Sequence, residues 1–70
     1  MNVSEEFIFR LVKKYQPIGI YELFKKEEVK VTYQYVVHLV NILEAKGLVI
    51  TNKIFDGDKV KRVVQVIKGD

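Results

Sequence analysis

Seventy residues with a net charge of +3, nearly half of them apolar and under a third charged, bound one small globular domain. Without cysteine there is no disulfide framework or thiolate metal site, and the one histidine, His38, does not make a metal site alone. No apolar run approaches the ~18 residues of a membrane span, and the stretch MNVSEEF carries acids where a secretory signal carries bases, so a soluble cytoplasmic protein is expected.

The charge is unevenly spread. Met1 to Gly19 carries +1, Ile20 to Lys46 is neutral, and Gly47 to Asp70 carries +2. A basic excess of this size permits nucleic-acid binding without demanding it.

The first helix is expected over about 4–15. Ser4 is a cap, and Glu5 and Glu6 suit the positive end of the dipole. Phe7, Ile8, Leu11, Val12 and Tyr15 form one apolar stripe, and Lys13 and Lys14 close the helix at its negative end. Phe9 falls off the stripe, either as a core residue from a second side or as an aromatic at a subunit contact.

Pro17 ends that helix, because proline disfavours helical geometry in the residue before it. Ile18-Gly19-Ile20 is too short for a helix and reads as a brief strand over 18–20. A second helix is expected over about 21–27, with Leu23 and Phe24 inward and Lys25, Lys26, Glu27 and Glu28 as a solvated run. Val29 and Val31 plug the turn that follows.

The third helix, over about 32–46, organises the chain. Val36, Leu39, Val40 and Leu43 recur at i, i+3, i+4 and i+7. Thr32 is its expected N-cap, Lys46 suits the negative end of the dipole, and Gly47 is the left-handed residue after the last turn. Two strands follow, over about 48–55 and 60–67, around Asp56-Gly57-Asp58-Lys59. Asp-Gly is a strong hairpin signal. Both a two-residue loop at Asp56-Gly57 and a longer loop pairing Phe55 with Val60 fit the pattern. Lys68-Gly69-Asp70 is expected to fray.

Helix, short strand, helix, helix, strand, strand is the order of a helix-turn-helix with a wing. The run VVHLVNILEAKGLV, Val36 to Val49, resembles the recognition-helix end of winged-helix regulators of the MarR and ArsR type. Leu43-Glu44-Ala45-Lys46-Gly47-Leu48-Val49 matches the family's close at every position, and Tyr21-Glu22-Leu23-Phe24 sits where the family carries the first helix of its helix-turn-helix. In element order the resemblance spans about residues 4 to 67. It implies an α+β winged helix-turn-helix fold, with the helix from Thr32 entering the major groove of DNA.

The chain departs from the family in several places. Its turn, Glu28-Val29-Lys30-Val31, is a residue longer than usual. The first half of the third helix carries no Arg or Lys, the hairpin tip is acidic, and the extra helices that dimerise MarR-type proteins have no counterpart.

A DNA-reading surface needs groups for phosphates and side chains that reach base edges. For base edges the candidates are Thr32, Tyr33, Gln34, Tyr35, Val37 and His38, with Asn41 deeper along the helix. Gln and Asn can pair with an adenine edge, and Val37 suits a thymine methyl. The alternative is that the tyrosines are rim residues and the amides merely solvated. For phosphates the candidates are Lys25, Lys26 and Lys30 beside the turn, and Lys53, Lys59, Lys61 and Arg62 in the hairpin. Arg62 stands out, because a guanidinium fork suits phosphate and narrow minor grooves.

No Ser/His/Asp or Cys/His set, glycine-rich phosphate loop or paired histidines are present. No enzyme activity, cofactor or small-molecule effector is therefore expected. The expected function is sequence-specific binding of double-stranded DNA by a small transcriptional regulator. A homodimer is expected, meeting through helix 1 at Phe7, Phe9 and Arg10, because one module this size buries only ~600–1,000 Å² on DNA. A winged-helix protein-docking module and a sequence-independent architectural DNA binder are the alternatives.

Overall fold

The structure is a computed structural model that describes residues 4–67. The expected frayed end at 68–70 lies outside the described residues.

Helix α1 spans Glu5–Tyr15, and Ser4 caps it by accepting the Phe7 N–H at 3.3 Å. Its apolar stripe buries Ile8, Leu11 and Val12, with Phe7, Phe9 and Tyr15 half-buried against the same core. Strand β1 is Ile18–Gly19.

Helix α2 is Ile20–Phe24, a residue earlier in its start and three shorter at its end than the sequence suggests. The chain stops coiling where Lys25 to Glu28 offer nothing apolar to bury. The Lys26 N–H turns back to the Leu23 carbonyl at 3.2 Å, and the Val29 N–H to the Lys26 carbonyl at 2.9 Å. These tight turns swing Val29 into the core, where it is buried. Lys25 and Lys26 thus lie in the connection itself rather than on a helix.

Helix α3 is Tyr33–Ala45, capped by the Thr32 hydroxyl, which accepts the Tyr35 N–H at 3.2 Å. Val36, Leu39, Val40 and Leu43 are its buried face. Its end is closed by a paired backbone motif. The Gly47 N–H bonds the Glu44 carbonyl and the Leu48 N–H bonds the Leu43 carbonyl, both at 3.0 Å, with Gly47 at φ +77°.

Strands β2 (Val49–Asp56) and β3 (Lys59–Val66) form the hairpin. Phe55 pairs with Val60 and Asp56 with Lys59, leaving a two-residue loop, Gly57-Asp58. Asp56-Gly57 is therefore not the loop. Only Gly57 takes positive φ, at +63°, the arrangement with glycine first that marks a type II′ turn. Each strand is displaced by one residue towards the tip from the expected limits of 48–55 and 60–67.

The result is an α+β domain of three helices and a three-stranded antiparallel sheet ordered β1-β3-β2. Ile18 pairs with Val64 and Gly19 with Val63. The Gln16 side chain accepts the Val66 N–H at 2.8 Å, just beyond the end of that short pairing. Thirteen buried aliphatic residues from all six elements and the α2–α3 connection make one core, and no polar or charged side chain among the described residues is buried with them. No described helix is long and apolar enough to cross a membrane.

Candidate nucleic-acid interface

The buried stripe of α3 fixes what faces outward. With Val36 and Leu43 inside, Gln34, His38 and Asn41 fall on the opposite side at i, i+4 and i+7. Gln34 and His38 are exposed, and no side-chain hydrogen bond to another described residue holds either. Tyr35 lies on one flank, its ring 6.3 Å from the His38 ring.

The other flank faces the hairpin. Tyr33 packs edge-on against Phe24 at 5.7 Å and tilts against Tyr21 at 6.1 Å, a cluster that joins the start of α3 to α2. Tyr33 remains 41% exposed while its ring is held in this cluster. Val37 is half-buried against the core, which leaves little of it for a thymine methyl. Thr32 spends its hydroxyl on the cap.

Arg62 does not stand free. Its Nη2 donates to Asn41 Oδ1 at 2.8 Å and, at 3.4 Å, to Glu44 Oε1 and Thr51 Oγ1. Glu44 in turn accepts the Thr51 hydroxyl at 2.9 Å and the Thr51 N–H at 3.3 Å. The network ties the middle and end of α3 to both strands of the hairpin, so Arg62 sets the angle at which the hairpin stands. The guanidinium that best suits a phosphate is already occupied within the fold.

Lys61 is likewise committed, bridging to Glu22 at 2.8 Å. Glu22 also accepts the Gly19 N–H at 3.2 Å, tying the first turn of α2 to its cap residue. The Lys61 ammonium first, and the Gly19 N–H second, hold the Glu22 carboxyl below the usual carboxylate range. A Cβ on Gly19 would lie 2.7 Å from Lys61 Cε and 2.9 Å from Glu22 Oε1, so glycine makes room for this pair.

Lys25, Lys26, Lys30, Lys53 and Lys59 form no ion pair among the described residues. Lys25 lies over the Tyr21 ring at 5.7 Å and Lys26 over the Tyr15 ring at 3.9 Å. Tyr15 also carries Lys14 at 5.2 Å, and Phe9 carries Lys13 at 5.4 Å. Lysines resting on rings keep their charge at the surface while covering apolar area.

Between α2, the start of α3 and the hairpin lies a cleft of about 340 Å³, with Tyr21 and Tyr33 on one wall and Lys59, Val60, Lys61 and Arg62 on the other. Glu22 and Asp56 also border it.

Sequence reasoning missed Tyr21, Glu22 and Glu44, whose roles come from partners far along the chain. It also missed Phe55, which is 75% exposed and pairs with the exposed Val60 near the hairpin tip. Strand alternation carries that signal, since Phe55 shares its side with Lys53 and Thr51 but lies beyond the reach of the core. No protein-family model, curated protein or solved structure matches this chain.

Proposed function

We propose that this chain is a winged helix-turn-helix domain that binds double-stranded DNA sequence-specifically, as a small transcriptional regulator acting in the cytoplasm. Helix α3 enters the major groove, and the hairpin serves as the wing. The observation that carries the reading is the Gln34–His38 stripe, outward on a helix capped at both ends, together with lysines on the α2–α3 connection and the hairpin that form no ion pair among the described residues. Gln34 and His38 reach base edges, and Tyr33 and Tyr35 bond phosphates or stack on sugar. Lys25, Lys26, Lys30, Lys53 and Lys59 neutralise phosphates, while Arg62 and Lys61 act by holding the wing. The family-like close at Leu43 to Val49 supports the same reading. Two copies bind a two-fold symmetric site, because one module alone gives modest specificity.

Binding to random-sequence duplex, followed by fluorescence anisotropy across salt, tests this. Five phosphate-contacting lysines predict a log–log salt slope of about −4.5, at about −0.9 for each contact. A chain that binds no duplex at low salt is not a DNA reader.

One observation favours a second reading, a protein-docking module: the exposed Phe55–Val60 pair beside an acidic tip, Asp56 and Asp58, which a duplex would repel. Phe55→Ala leaves DNA affinity nearly unchanged if the wing contacts DNA through its lysines. It removes partner binding if the tip docks a protein.

A further inference from the structure

We propose that two copies of this chain meet back to back through the outward face of the hairpin, the side turned away from the helices. Val49 and Val64 point into the core. The alternate positions therefore point out: Ile50 opposite Gln65, Asn52 opposite Val63, and Ile54 opposite Lys61. Leu48 and Ile67 extend this face at its base, where the Ile67 N–H bonds the Leu48 carbonyl at 3.2 Å. Leu48, Ile50, Ile54 and Ile67 are each between 40% and 48% exposed.

Charge selects the occupant. From Leu48 to Ile54 the outward positions of β2 carry no ionised side chain, and the facing cation, Lys61, is already neutralised by Glu22. A charged partner finds nothing to pair with here. A second copy presents the same uncharged surface, and a two-fold contact needs such self-complementarity.

Shape agrees with charge. An open groove of about 740 Å³, bordered by Pro17, Ile50 and Ile67, lies at the base of the face. A two-fold axis near Asn52 runs the hairpins antiparallel and sets Ile54 over the partner's groove, and the partner's Ile54 over this one. Helix 1 offers less, since Phe7 and Phe9 are half-buried in their own core and Arg10 pairs with Glu6 at 2.8 Å.

The association does not rest on the DNA-binding proposal. The two-stranded face covers roughly 300 Å² per copy, well under the ~800 Å² of a standard interface. The dimer is therefore weak in free solution.

Sedimentation velocity without DNA, on the wild type, Ile54→Lys and Arg10→Glu, at up to about 1 mM protein, tests the contact. Circular dichroism confirms that each variant folds. The wild type is expected to move towards twice the monomer mass as concentration rises. A lysine buried against the apolar face raises the dissociation constant at least about tenfold, and Arg10→Glu leaves it unchanged. A wild type that stays monomeric throughout overturns the proposal. So does an Ile54→Lys variant that associates like the wild type, or loss of association in Arg10→Glu. With no DNA in the cell, any of these results leaves the DNA-binding reading standing, and failure to bind DNA leaves the association standing.

Discussion

The Arg62 guanidinium donates to Asn41 Oδ1 at 2.8 Å, so a strand residue and a helix residue 21 positions apart hold the hairpin against α3. Arg62 also reaches Glu44 and Thr51, and its side chain is 31% exposed. Arg62→Ala removes all three contacts. Solvent screening at this partly exposed site limits the loss to about 1 kcal/mol, read from the urea midpoint. Under the proposed function, DNA affinity falls while the salt slope stays constant, because no phosphate contact is lost. A slope smaller by about 0.9 would assign Arg62 to a phosphate instead.

Gln34→Ala and Thr32→Ala separate reading from folding on the same turn. Gln34 is exposed and its side chain is unbonded among the described residues, so its loss changes stability by less than about 0.5 kcal/mol. Under the proposed function it costs about 1–3 kcal/mol of binding on a preferred site, and little on random duplex. A uniform small loss would instead mark an architectural binder. Thr32→Ala leaves the Tyr35 N–H without its cap and costs about 1 kcal/mol of stability.

Gly47→Ala isolates a backbone effect. Nothing lies within 4 Å of a Cβ built there, yet φ is +77°. The left-handed conformation alone costs about 1–2 kcal/mol, which thermal unfolding would register as a lower midpoint. An unchanged midpoint would mean that the helix end rearranges to escape φ > 0.

Acid acts at Glu22. Its carboxyl titrates below the ordinary range in the folded chain, so the pairing contributes above the unfolded value and is lost as pH falls through the folded one. Lys61 and the Gly19 N–H are then released together. Both side chains are about half exposed, so the effect is small and salt-sensitive. A Glu22→Gln variant, compared with the wild type by urea unfolding from neutral to acid pH, is expected to be less stable at neutral pH only. An equal difference at every pH would contradict the assignment.

Caps explain why much of the fold is legible in the residues alone. Ser4, Thr32 and Gly47 act on backbone groups within a few residues of themselves, so their helix ends fall where local chemistry puts them. The end of α2 depends on Val29 reaching the core, a demand from outside the segment, and the expected helix overruns it by three residues. Asp-Gly signals a hairpin but leaves the glycine free to stand first or second in the loop, and this choice displaces both strands. The candidate site is legible in type more than in role. Gln34 and His38 face outward as helical periodicity requires. Arg62, chosen for its chemistry, is drawn into a network whose other members, Asn41, Glu44 and Thr51, lie 11 to 21 positions away.

The Glu44 carboxylate on the Thr51 N–H has a consequence for how these molecules behave in a crowd. β2 is an outer strand of the sheet, and its odd-numbered N–H groups point away from β3. Such a row invites another chain to add itself, the first step towards fibrils. Glu44 occupies the Thr51 N–H, and the next residue outward on that edge, Lys53, brings a charge. Both features oppose the addition of another strand at this edge.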